Sequence, residues 1–501
     1  MDSSPDQTRK RNQNHTLAQK SLFLYFSFFL FLFLFSSSHH SFYSHTSLQP
    51  STLSTFPTST PFPTTKLPVS SLQVLDRILF PDHVLLTLSN PHVFSQKNLH
   101  CVYYNLVKGL TPSNSNPVFD VLVRPVLSTD RYDEFRSIAR CPLPRKKFSA
   151  VDLRLSGDDD RQPFRFPVQP IVPHSFDKLV YEVALDGDTA VVFVKGLNLR
   201  PHQISDAGLL RCHFGPQNGV FWLTTKAVAA AQEVVRCALP QSIQNLPHKA
   251  RGISVTVSHV RHGAIFDSVA KIGGYRKEIN RVNMNMNKLE LCACTMVWNQ
   301  ARAMKEWVIY HAWLGVEKWF IYDNNSDDEI DDVVRELEIK GYNINRVVWP
   351  WIKSQEAGFS HCSLRAKEEC KWVGFFDVDE FFYFREMKQN ALISILGNLS
   401  NSIVEIRTGC LNFGPSELRT HPRNGVSVGY TCRLRMPERH KSIIRPDLLH
   451  VSLLNVVHHF ELEEGFGSLN MPQSVAVINH YKYQVWDIFK AKFFRRVATY
   501  V

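Results

Sequence analysis

The apolar positions follow two rhythms, and the change falls near residue 288. From about 74 to 270, short apolar runs of strand length alternate with breaks that contain Pro and Gly. They are Val84 to Leu88, Cys101 to Tyr104, Val118 to Val126, Phe148 to Leu155 and Ile253 to Val257. Leu179 to Leu185 and Thr189 to Val194 flank Asp186-Gly187, a dipeptide suited to a tight hairpin. The spacing of Val228, Ala231 and Val235 predicts one helix, Thr225 to Cys237. Regular short strands of this kind predict a β-sandwich-like module.

Beyond Lys288 the rhythm alternates between strand and helix. Leu289 to Trp298, Lys318 to Tyr322, Arg346 to Trp349 and Trp372 to Phe376 read as strands. Between them, Arg302 to Gly315, residues 328–340 and Gln355 to Lys371 carry helical spacing. In the first helix Met304, Trp307, Val308, His311 and Leu314 share one face, which places His311 against the sheet. A β-α-β-α-β-α-β order predicts an α/β domain with a parallel, helix-covered sheet. Val485 to Val501 predicts a last helix.

The strand Trp372 to Phe376 is apolar throughout and stops at Asp377-Val-Asp379-Glu380. On an extended chain Asp377 and Asp379 would share a face, about 6–7 Å apart. Two carboxylates at a buried strand end repel each other and are costly to desolvate. A hard divalent cation with oxygen ligands, Mn²⁺ or Mg²⁺, relieves both problems. Open α/β sheets bind ligands at this carboxyl edge. The Lys318–Tyr322 strand ends there too, at Asp323, Asn324 and Asn325 beside a helix N-terminus, a place to grip a nucleoside.

Composition places this chemistry in a cell compartment. Residues 1–20 include Arg9, Lys10, Arg11 and Lys20, and Leu22 to Phe35 is almost wholly Leu and Phe. Taken as 21–43, the segment is expected to be an uncleaved signal anchor, with its basic flank in the cytosol. Residues 44–73 are Ser-, Thr- and Pro-rich and read as a stem that holds a catalytic head off the membrane. The expected address is a single-pass type II protein of the Golgi membrane with its head in the lumen. All ten cysteines lie on that side, where disulfides form, and their pairing is not fixed by sequence. No Cys-x-x-Cys pair supports zinc, and no zinc finger, P-loop or RNA-binding signature supports nucleic acid, despite a net charge of +11. Of the two glycosylation sequons beyond the expected anchor, Asn324-Asn-Ser326 falls in the candidate site, so Asn398-Leu-Ser400 is the expected acceptor. Tyr103, Tyr104, Phe221 and Trp222 could stack on sugar rings; core packing is the more ordinary use of such residues.

Six motifs together resemble plant members of glycosyltransferase family 92: Trp298 to Trp307 with His311, Tyr322 to Ser326, Asp377 to Phe381, Leu411 to Gly414, Lys441 to Pro446 and Val457 to Phe460. The resemblance covers about 288–501; Gln300 stands where much of the family has Glu. It implies a Rossmann-like, GT-A type catalytic domain that binds a nucleotide sugar. Within the family the chain resembles the pectic β-1,4-galactan synthases, which implies galactose transfer from UDP-galactose onto galactan. The implied donor contacts are Asn299, Asp323, Asn324, Asn325, Lys441 and Arg445. The implied metal ligands are Asp377, Asp379 and one of His458 and His459, since neighbours on a strand face opposite ways. A β-product from an α-linked donor needs inversion and a general base. Glu417 and Asp447 are both candidates, and spacing does not choose between them. A different donor, a glycoprotein acceptor, or a non-catalytic carbohydrate-binding protein led by 74–270 are the alternatives. A homo-oligomer is compatible with all of them.

Overall fold

The computed structural model describes residues 73–89, 98–106, 119–155, 172–216, 221–245, 250–261, 263–273, 288–456 and 458–498. The expected tail and anchor, and the stem up to residue 72, lie outside the described residues. Residues 70–501 form one compact unit.

The parallel sheet is present. Strand β1 (Leu289–Val297) leads into helix α1 (Ala301–Trp313), β2 (Lys318–Asp323) into α2 (Ile330–Ile339), and β3 (Asn343–Val348) into α3 (Gln355–Glu369) and β4 (Cys370–Phe375). The strands lie side by side as β3-β2-β1-β4, all parallel. Gly315 ends the first unit at φ 109°, where a Cβ would meet Ile393 Cγ1 at 2.7 Å, so only glycine turns the chain there. The sheet continues past β4 with β5 (Glu380–Phe384), β6 (Ile403–Asn412), β7 (Arg439–Ile444) and β8 (Ala476–His480). Their order is β4-β7-β6-β8-β5. Strand β7 runs antiparallel to β4 and β6, while β8 runs parallel to β6. Helix α4 (Trp486–Ala498) follows.

The period-2 alternation of the central strands sorts side chains into two cores. Leu291, Ala293, Trp319 and Ile321 face α1 and α2, with Met304, Trp307 and Leu337. Cys292, Cys294, Phe320, Tyr322 and Phe375 face α3 on the other side. That second core also contains Ile78, Phe80, Phe176, Leu179, Tyr181 and Phe193 from the β-rich half. Trp351 stacks on Phe176 with ring centroids 5.8 Å apart. The β-rich half is therefore a layer on the parallel sheet, and its hydrophobic face is shared.

Within that half the expected strands are found, in sheets of five, eight and three strands among the described residues. The expected helix Thr225 to Cys237 is not. Leu223–Ala231 and Val234–Ala238 form an antiparallel hairpin, with Gln232 in the left-handed region at φ 53°. Val228 is exposed whereas Ala227, Ala229 and Val235 are buried, a strand alternation that the three-residue helical spacing had obscured. Cys237 closes the hairpin onto the neighbouring strand through Cys212. The other disulfides are Cys101–Cys141, Cys292–Cys370 and Cys294–Cys362; Cys410 and Cys432 are free thiols. Tyr103 and Tyr104 are core residues, while Trp222 is 71% exposed.

Candidate active site

The buried strand β4 ends as expected, but Asp377 to Glu380 is a turn rather than an extension of the strand. The Glu380 amide donates to the Asp377 carbonyl at 3.0 Å, and the Asp377 amide donates to Glu380 Oε2 at 2.8 Å. Helix α1 braces this turn. Trp307 Nε1 donates to the Glu380 carbonyl at 3.1 Å and Tyr310 Oη to the Phe382 carbonyl at 2.7 Å. His311 is fully buried; its Nδ1 pairs with the Trp307 carbonyl at 2.8 Å, and its Nε2 faces the Phe382 amide at 3.4 Å. Burial holds the imidazole neutral, with its pKa lowered to about 3.

Register brings several strand ends to one edge. Phe375 lies level with Cys294 on one side and Ser442 on the other, and Asn412 and Glu380 both pair with His480. The carboxyl ends of β4, β6 and β8 thus meet around Asp377 and Asp379. His480 Nε2 lies 3.6 Å from Asp379 Oδ2, and its Nδ1 lies 3.8 Å from Glu380 Oε1. Two lysines complete the cluster. Lys441 Nζ reaches Asp377 Oδ2 at 2.7 Å, Glu380 Oε2 at 3.1 Å and His458 Nε2 at 2.7 Å. Lys492, from α4, pairs with Asp379 Oδ2.

These charges keep both aspartates ionised. Burial raises the Asp377 carboxyl, but Lys441 and His458 outweigh it and bring it down to about 2. Asp379 is likewise raised by burial and pulled well below the usual range by Lys492 and His480. Glu380 moves the other way, raised by burial and by the neighbouring Asp377 and Asp379 despite Lys441.

Several expected site residues stand elsewhere or are already engaged. His459 is turned to other partners: its Nδ1 meets Glu405 Oε1 at 2.9 Å and Ser442 Oγ at 2.5 Å, and its ring stacks on His440. His458 is the neighbour that faces Asp377, with Lys441 between them. Lys441 is 6% exposed with its three donors given to chain groups, which makes it a counter-ion to the carboxylates. Arg445 and Asp447 are misplaced by the direction of β7. That strand runs antiparallel to β4, so four residues past Lys441 the chain is about 13 Å away, toward the amino edge. There the two pair at 3.0 Å beside a cavity of about 380 Å³ that Lys288 and Lys371 also line.

Asp323 lies at the carboxyl edge, two strand spacings or about 10 Å from β4. Its carboxylate is buried and committed: Oδ2 accepts from Arg346 at 2.6 and 2.9 Å, and Oδ1 accepts from the Ser326 amide at 3.0 Å. Asn324 donates to the Trp349 and Trp351 carbonyls, and Asn325 to the Pro350 carbonyl. Asn299 exchanges hydrogen bonds with Asp327. These four side chains therefore shape the turn. Asn398 is exposed. Glu417 is exposed at φ 61° in the 413–438 loop that follows β6.

His480 and Lys492 escaped the sequence reading. His480 carries the same signal as Asp377, a polar residue ending an apolar strand, Ala476-Val-Ile-Asn-His480. Its partner strands are distant in sequence, so nothing local connects it to Asp379. Among the described residues no three His, Cys, Asp or Glu groups form a ready metal cage. The donor chemistry nevertheless fits a divalent cation: two ionised carboxylates and an imidazole on Asp379.

The sequence model of glycosyltransferase family 92 matches residues 287–500. A family 92 protein of Ricinus communis is 54% identical, aligning with 88% of this chain and 76% of its own length. One from Arabidopsis thaliana is 51% identical over 86% and 74%, and one from Oryza sativa subsp. japonica 40% over 86% and 73%. Among solved structures, a Mycobacterium tuberculosis glucosyl-3-phosphoglycerate synthase with Mn²⁺, UDP and glucosyl-3-phosphoglycerate covers 42% of this chain and 78% of its own at 13% identity, with a TM-score of 0.25, too low to carry an argument. The relatives extend across the β-rich half as well as the catalytic sheet, and the six motifs fall inside the matched region: the chain belongs to glycosyltransferase family 92.

Proposed function

We propose that this glycosyltransferase is an inverting, metal-dependent enzyme of GT-A type that moves galactose from UDP-galactose onto pectic β-1,4-galactan. The observation that carries the reading is the Asp377/Asp379 pair, held ionised at the carboxyl edge of a parallel sheet in a glycosyltransferase. Asp377, Asp379 and His480 would hold Mn²⁺ or Mg²⁺, with His458 the second imidazole nearby. Such a cation supplies charge to offset that of the departing diphosphate. The chain's own part is to keep both carboxylates deprotonated and fixed, through Lys441, Lys492 and the α1 brace. Glu417 is the remaining candidate base, because its loop leaves from the same edge and Asp447 does not.

Galactose and galactan rest on the motif resemblance. The lumenal address is supported by four disulfides, which persist in oxidising compartments. No described helix is long and apolar enough to cross a membrane, and the expected anchor lies outside those residues. A panel of UDP-sugars with galacto-oligosaccharide and glycoprotein-glycan acceptors tests the proposal. UDP-galactose with a β-1,4-galacto-oligosaccharide is expected to give the fastest turnover. A faster rate with another pair would reassign the substrate, and no turnover with glycan binding intact would favour the non-catalytic alternative.

A further inference from the structure

The two lysines at the site differ in their freedom. Lys441 is 6% exposed and has three acceptors within reach. Lys492 is 36% exposed, and its ion pair is with Asp379, itself 8% exposed. Its position follows from the face of α4. Ile488 packs on the core, and Lys492 and Arg495 come four and then three residues later, on the same face. Trp486, Phe493 and Phe494 point to solvent. Arg495 acts electrostatically on Asp379 and Asp328. The helix thus presents two cations over the strand ends, one of them on the carboxylate a metal would use.

We propose that Lys492 is a donor-binding residue, held on Asp379 in the free enzyme and released to the diphosphate when donor and divalent cation arrive. This rests on the reading of the donor as a nucleoside diphosphate sugar bound with a metal. The physical argument is competition. A divalent cation outbids one ammonium for a carboxylate oxygen, and the displaced ammonium is left beside the anionic diphosphate that accompanies the metal. Lysine suits that exchange as a point charge on a flexible stem, with no fixed fork geometry to satisfy. Lys441, buried among its acceptors, stays in place. The exchange keeps positive charge over Asp379 before the donor binds and over the diphosphate afterwards.

The test uses the purified full chain, as wild type, Lys492→Met and Lys492→Arg, with calorimetric titration of Mn²⁺ alone and of UDP at saturating Mn²⁺. In Lys492→Met, Mn²⁺ alone is expected to bind at least about threefold more tightly, because Asp379 is freed, and UDP about tenfold more weakly. Lys492→Arg should restore UDP affinity to within about threefold of wild type. Unchanged UDP affinity in Lys492→Met would overturn the proposal, as would Mn²⁺ and UDP affinities falling together, the mark of a merely structural ion pair. A wild-type chain that binds Mn²⁺ and no UDP would instead overturn the donor reading, and this proposal with it.

Discussion

Lys441 concentrates the electrostatics of the site in one side chain. Its ammonium lies between Asp377, Glu380 and His458, and it is raised above its ordinary pKa by the two carboxylates against the opposing effect of burial. Removing one member of such a cluster leaves the others charged and undersolvated. Lys441→Met is therefore expected to destabilise the protein by about 3–5 kcal/mol, read as a lower denaturation midpoint in urea. An unchanged midpoint would mean that Asp377 and Glu380 need no internal counter-ion. At this scale the sequence was informative where chemistry is local: Asp377 and Asp379 are readable because an apolar strand stops at them. His480 was not, because its meaning depends on a ladder partner 100 residues earlier, Glu380. Asp323 misled for a related reason. Its place at a strand end is legible, and the Ser326 amide on its carboxylate is a local turn contact, but the Arg346 pair that takes the other oxygen comes from the next strand.

At the scale of elements, α1 does two jobs that its motif does not announce. One face braces the Asp377–Glu380 turn through Trp307, Tyr310 and His311. On another, Glu306 accepts from the Val426 and Ser427 amides at 2.8 and 2.9 Å and from Ser427 Oγ at 2.6 Å. It thereby holds the loop over 413–438 that leaves the carboxyl edge and carries Glu417. Glu306→Ala is expected to loosen that loop, with faster limited proteolysis between 415 and 436 and little change elsewhere. Equal cleavage rates in the two proteins would show that the loop is held by other contacts. The helices were legible from their 3.6-residue periodicity, and the parallel strands from their position between helices. Strands β5 to β8 were not, since their pairing is set by long returns of chain. The Leu223–Ala238 hairpin was misread because alanines and valines spaced for a strand also fit a helix, and only burial of Ala227 and Ala229 against exposed Val228 separates the two.

The described residues are organised around a sheet covered by α1 and α2 on one face and by α3 and a β-rich layer on the other. The sequence break near 288 marks a change of architecture, but the core runs across it. Phe80, Phe176, Tyr181 and Phe193 pack with Trp349 and Trp351, and Asp130 shares Arg346 with Asp323. A fragment of residues 74–265 would expose this aromatic face. It should show no cooperative melt, and Trp351→Ala in the full chain should cost about 3–5 kcal/mol. A sharp two-state transition in the fragment would show instead that this half folds by itself. Under the proposed function the Asp377/Asp379 pair at the sheet edge drives sugar transfer, and one measurement tests this directly. Release of UDP from UDP-sugar in the presence of Mn²⁺ and acceptor is compared between wild type and the Asp377→Asn/Asp379→Asn double variant, with thermal melts of both. The variant is expected to melt cooperatively and to lose at least about 100-fold in rate. A folded double variant that turns over at the wild-type rate would contradict the account.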